Sequence, residues 1–224
     1  MDGGMVAAGR IGPNAITRLA EALGPDLARQ VFAAAGLERR LAEPPGRMVP
    51  EGEVIALHRA ARTIMGETAA DAASREAGRL TALYLLAHRI PRPLQWILRV
   101  LPAPIAAQVL LGAIGRHAWT FAGSGAFRVR PGRPLRLEIA GAPIARAAAA
   151  DHPVCGYYAA TFETLFRALV SPRTRVQETA CEAMGAEACV FEVRWQLPDD
   201  EAVEMPGRVA QDRQHHRQPH EERN

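Results

Sequence analysis

The sequence predicts an α+β fold, with a helical amino-terminal half followed by a small antiparallel sheet with packed helices. Two observations carry this. Apolar residues recur at helical spacing up to about residue 116, then alternate one by one in the second half. Prolines and glycines punctuate each change of period. A third feature, three cysteines gathered in the carboxyl-terminal part, suggests that a metal staples the sheet. The 224 residues are 48% hydrophobic, enough to bury a sizeable core.

Residues 1–11 read as a flexible lead-in. Pro13 is placed to open a helix carrying Ile16, Leu19 and Leu23, which Gly24-Pro25 closes. A second helix runs from about Asp26 to Ala35 and stops at Gly36. Glu43-Pro-Pro-Gly46 is a linker, and Pro50 opens a third helix with Val54, Leu57 and His58. A fourth begins near Glu67; its end, Leu80 to Ala87, is apolar nearly all round and therefore predicts burial on most sides. Pro91 and Pro93 break it, and short helices follow over Leu94–Val100 and Ile105–Ile114.

From Trp119 the period becomes two. Trp119–Gly125 predicts a strand ending in a glycine turn. Phe127 and Val129, then Leu135, Leu137 and Ile139, alternate with charged residues across Pro131-Gly-Arg-Pro134, the pattern of a hairpin with one wet face. Residues Cys155–Val170 return to helical spacing. Thr174–Ala180 and Cys189–Leu197 predict two more strands. The domain thus spans residues 12–197, helical to about 116 and sheet-containing beyond. Residues 198–224 are polar and charged and predict a disordered tail.

Composition excludes several functions. All 27 basic residues are arginine, so no lysine can serve as nucleophile or Schiff base. The formal charge of +3 argues against nucleic acid as a partner. Without the tail, however, 23 arginines face 17 acids. The start Met-Asp-Gly-Gly-Met lacks the basic and apolar regions of a signal peptide, and three cysteines do not make a disulfide framework; a cytoplasmic protein is expected. The longest uncharged stretch, between Arg99 and Arg116, has 16 residues and two prolines, short of the ~20 a spanning helix needs. It reads as a buried helix or as a surface that meets lipid or an apolar ligand.

Strand alternation decides how the cysteines are read. Glu178 shares a face with Val176 and Ala180, and Cys189 with Phe191, Val193 and Trp195. The core face therefore carries a carboxylate, which is costly unless paired or metal-bound. Cys155, Glu178, Cys181 and Cys189 would supply four ligands to a tetrahedral zinc. The spacing alone leaves open the alternative of three small buried thiols and an edge-exposed glutamate.

The run Gln177-Glu-Thr-Ala-Cys-Glu-Ala-Met-Gly-Ala-Glu-Ala-Cys-Val-Phe-Glu-Val193, preceded by Cys155, resembles the four-vinyl reductase domain, which is related to a subunit of vesicle-tethering complexes. That resemblance implies zinc held by a cysteine, a glutamate and two further cysteines in this order. The segments Leu80–Pro91, His117–Gly125 and Phe162–Val170 resemble the bacteriochlorophyll-biosynthesis branch in purple bacteria. The branch implies a magnesium tetrapyrrole as ligand, enzymes of bacteriochlorophyll synthesis as partners, a homodimer, and a location peripheral to the photosynthetic membrane.

The branch's historical name implies reduction of a ring vinyl group, which needs a source of electrons. Gly123-Ser-Gly125 lacks the third glycine of a dinucleotide fingerprint and is followed by strand residues, so it reads as a turn. An iron–sulfur cluster needs four cysteines, and zinc is the better use of three. The leading expectation is therefore a tetrapyrrole-binding accessory or carrier protein with structural zinc. The alternatives are a divinyl (proto)chlorophyllide vinyl reductase and a small-aromatic sensor or protein adaptor. Tyr84, Trp96, Trp119 and Phe121 are read as lining an apolar interior for a flat macrocycle, with plain core as the other reading. His88 with Arg89, and His117 with Arg116, are the pairs suited to an axial imidazole and a propionate partner; His58 is a weaker candidate.

Overall fold

A proline sits directly before four of the helices, where its fixed φ favours entry and its missing N–H costs nothing. In the computed structural model, which describes residues 9–195, these are α1 (Asn14–Ala34), α3 (Glu51–Met65), α5 (Arg92–Val100) and α6 (Ala103–Arg116). The remaining helices are α2 (Arg39–Ala42), α4 (Glu67–His88), α7 (Trp119–Ala122) and α8 (Gly156–Leu169). The two amino-terminal helices expected from the sequence are the halves of α1, which breaks at Gly24, with φ 71° and ψ 170°. Among the described residues no helix is long and apolar enough to cross a membrane.

Two strands, β1 (Arg10–Ile11) and β2 (Val49–Pro50), pair antiparallel beside α1 and α3. This corrects the reading of residues 1–11 as a lead-in throughout: Ile11 is buried in the core and its strand is hydrogen-bonded. The main sheet holds β3 (Ala126–Arg130), β4 (Leu135–Ala140), β5 (Arg175–Ala180) and β6 (Cys189–Arg194), all antiparallel in the order β3-β4-β6-β5. Its outer face is wet, as the alternation requires. Glu138 pairs with Arg130 at 3.1 Å, and Glu192 with Arg136 at 3.1 Å and Arg194 at 2.6 Å. Its inner face carries Leu137, Ile139, Phe191 and Val193, all buried. Onto that face α8 lays Tyr158 and Phe162, whose rings meet Phe191 at 6.1 and 5.7 Å.

The core continues through α8 into α4. Small residues on α4 (Ala70, Ala73, Ser74, Ala77 and Gly78) let the two helices approach closely. At Gly78 a Cβ would lie 2.1 Å from the Tyr157 carbonyl oxygen, so only glycine fits. Thr161 donates its hydroxyl to the Gly78 carbonyl at 3.0 Å, and Thr81 and Tyr157 hydroxyls bond at 2.9 Å.

The strand expected over Trp119–Gly125 does not form. Trp119–Ala122 is one helical turn, with Phe121 and Ala122 N–H groups donating to the Ala118 carbonyl at 3.0 and 2.8 Å, and pairing begins at Ala126. Local hydrogen bonds win because no neighbouring strand is available to this stretch. The Gly123-Ser-Gly125 segment is a turn, as read. Its Ser124 N–H and hydroxyl donate to the Glu51 carboxylate at 2.8 and 2.7 Å, and Arg146 completes that cage at 2.8 Å. The expected ends of the last strand, at Leu197, and of the polar tail lie outside the described residues.

Candidate metal centre

Four chain segments converge under the sheet. Cys155 caps the amino end of α8. Glu178 lies in β5, where a bulge between Glu178 and Ala180 re-aims the strand. Cys181 follows β5 directly, and a 3-10 turn over Glu182–Met184 leads on. Gly185 takes the left-handed φ of 88° that the return requires, and the chain arrives at Cys189, the first residue of β6. Their ligand atoms all lie within 4.8 Å of one another. The Sγ atoms of Cys155 and Cys189 are 3.5 Å apart, and those of Cys189 and Cys181 3.8 Å. An ion about 2.3 Å from each sulfur of a tetrahedral site spaces those sulfurs about 3.8 Å apart, so the cage has the size for zinc.

The electrostatics describe a site that wants a cation. Burial, with the nearby Cys181 sulfur, pushes the Glu178 carboxyl up to about 8. Its Oε2 accepts the Cys155 N–H at 2.8 Å, but its Oε1 is buried with no hydrogen-bond partner. Such an atom is expensive to leave unmatched, and a metal would match it. Cys181 is held low because Cys155 and Cys189 both direct S–H donors toward it. Cys155 is pushed up by those same contacts and by burial. Cys189 is pushed up by Cys181 and burial, against the opposing effect of Cys155. Glu178 is also the only one of the four that is not fully buried, and it borders a surface cleft of about 270 Å³ through which an ion could enter.

Sequence reasoning missed Glu182. Its carboxylate accepts the N–H groups of Gly141 and Ala142 at 2.6 and 2.7 Å, and its own N–H donates to Cys189 Sγ at 3.5 Å. It therefore fixes the turn between two cluster cysteines to the end of β4. Its only signal in the sequence is an acid directly after Cys181. A second group, Glu67, Asp71 and His152, also gathers three metal-capable atoms. Arg62 already neutralises it by pairing with both carboxylates, and His152 Nε2 lies 3.1 Å from Asp71.

A family model for the four-vinyl reductase domain matches residues 135–195, the span that contains all four cluster residues. The chain is 48% identical over 197 residues to the bacteriochlorophyll synthase 23 kDa chain of Cereibacter sphaeroides, covering 86% of this chain and 94% of that one. It is 40% identical over 204 residues to the protein of the same name from Rhodobacter capsulatus, covering 89% and 92%. The chain belongs to the four-vinyl reductase domain family, in its bacteriochlorophyll-biosynthesis branch.

The other candidate residues of this family member fall outside any enclosed interior. Trp96 on α5 and Trp119 on α7 are exposed. Tyr84 is half-buried; its ring stacks on exposed His88 at 4.6 Å and lies under the Arg18 guanidinium. Arg89 and His117 are exposed at the ends of α4 and α6. Phe121 packs into the aromatic core with Phe127, Tyr158 and Phe162. The expected macrocycle pocket inside the protein is therefore corrected: Trp96 and Trp119 face outward. The end of α4 is corrected likewise, since Leu83 is 42% exposed and Ala87 and His88 are exposed. An apolar helix end is buried only if neighbours cover every side, and here they do not. His58 is buried in the core, where desolvation, then the neighbouring Arg62 charge, lowers it to about 3.

Proposed function

We propose that this protein is a tetrapyrrole-binding accessory component of bacteriochlorophyll biosynthesis, with a structural zinc held by Cys155, Glu178, Cys181 and Cys189. The observation that carries this reading is 48% identity across nearly the whole of a chain named for bacteriochlorophyll synthase. That name also suggests partners among the enzymes handling the same intermediates.

His88 and His117 support a pigment ligand. The Nδ1 of each bonds the carbonyl four residues earlier, Tyr84 at 3.1 Å and Ala113 at 2.9 Å. A carbonyl only accepts, so Nδ1 carries the proton and Nε2 keeps its lone pair. An exposed imidazole in that tautomer suits an axial contact to magnesium. Arg89 and Arg116 stand next to the two histidines and suit the propionates. A bound magnesium tetrapyrrole would supply only its ring and metal; the chain's own part is to hold, orient and shield it.

Titration of the purified protein with magnesium protoporphyrin should shift the Soret band. His88→Ala and His117→Ala should each weaken or abolish the shift. No shift at micromolar protein would remove the carrier reading. Conversion of divinyl substrate to monovinyl product by the purified chain with NADPH would favour the reductase instead.

A further inference from the structure

Helices α5 and α6 pack on one another and on α8, with Gln95, Leu98, Ala106, Ala107 and Leu110 turned inward. Their opposite sides remain apolar. Trp96 and Val100 stand one turn apart on α5, with Ile97 beside them; Ile105 and Val109 stand one turn apart on α6, and Trp119 follows on α7. Trp96 is 66%, Val100 61% and Trp119 59% exposed. Scattered exposed apolar residues are ordinary, but six on consecutive short helices, two of them tryptophan, form a surface that needs an occupant.

The charge around this face says which occupant. From residue 77 to residue 137 the chain has no aspartate or glutamate and nine arginines. Arg92 opens α5 and Arg116 ends α6. We infer that the outward face of α5, α6 and α7 is a docking surface for an anionic lipid bilayer. The helices have 9, 14 and 4 residues, too short to cross, so they lie in the interface with tryptophans at headgroup depth and arginines among lipid phosphates. A second copy of the chain fits less well. A two-fold contact through this face would set one arginine-rich, acid-free surface against its own image. The inference does not depend on pigment binding, because it uses only the apolar face and its charge.

The test uses the full chain, without pigment, and two vesicle preparations: phosphatidylcholine alone, and phosphatidylcholine with phosphatidylglycerol as about a third of the lipid. The protein should sediment with the second and not the first. Tryptophan emission should shift to the blue, and salt should release the protein. Val100→Glu with Val109→Glu should abolish binding while leaving circular dichroism unchanged, since both positions are exposed. Arg92→Ala and Arg116→Ala should each cut partitioning about fivefold. Equal sedimentation with both preparations, none with either, or full binding by the double glutamate variant would overturn the inference. So would a vesicle-free dimer that the double glutamate variant converts to monomer, which would make a second copy the occupant.

Discussion

Zinc binding at neutral pH should expel protons in a number the cluster already fixes. In the metal-free chain at pH 7, the Glu178 carboxyl, lifted to about 8, holds its proton, and the raised Cys155 and Cys189 thiols hold theirs. Cys181 is ionised, since both neighbours stabilise its thiolate. Metal ligation requires all four groups deprotonated, so about three protons should leave per zinc. Calorimetric titration of chelator-stripped protein with zinc, repeated in buffers of different ionisation enthalpy, counts them directly. Glu178→Gln should lower the count to about two and weaken binding. The same variant should leave metal-free stability intact, because it replaces a buried carboxyl by a neutral amide. In the parent, chelation strands the Glu178 Oε1, a loss of about 1–3 kcal/mol, and each kcal/mol should lower Tm by about 2–4 °C in a chain of this size. Release of one proton or none, or a Glu178→Gln count equal to the parent's, would refute the reasoning.

Two other outcomes can be checked by unfolding. Gly78→Ala forces a Cβ to 2.1 Å from the Tyr157 carbonyl oxygen, so α4 and α8 must part, at about 1–3 kcal/mol in denaturant melts. His58 has a folded value near 3, depressed below the 6.5 of the unfolded chain. Its stabilisation is therefore complete above pH 6.5 and drains as the pH falls toward 3, with about 2 kcal/mol gone between pH 7 and pH 5. His58→Gln should flatten that part of the pH–stability curve, and an unchanged slope would mean that His58 is not the titrating group.

The sequence was most informative where the period was long and the punctuation strong. The prolines before α1, α3, α5 and α6 mark real helix starts, and alternation from Phe127 to Ile139 marks a real hairpin. Face assignment in β5 and β6 was enough to bring Glu178 and Cys189 to one side, and the structure adds Cys155 and Cys181 to them. Trp119-Thr-Phe121 failed because three alternating residues do not distinguish a strand from a helical turn. Leu80–Ala87 failed for a different reason: an apolar circumference reports what could be buried, and the packing of neighbours decides what is. Glu51 and Glu182 were invisible because their partners are backbone N–H groups of loops distant in sequence, which no spacing rule records.

The geometry also separates the metal from the helical face. Cys155 caps the amino end of α8, while α5 is tied to the other end, where Arg99 Nε donates to the Ala168 carbonyl at 3.0 Å. The 14 residues between make a rod of about 21 Å. A ligand on α5–α6 is therefore out of reach of an ion at Cys155, and the ion acts on it only by holding α8 in place. Loss of zinc should accordingly loosen the sheet edge and the start of α8, and alter the outer face only to the extent that α8 itself gives way.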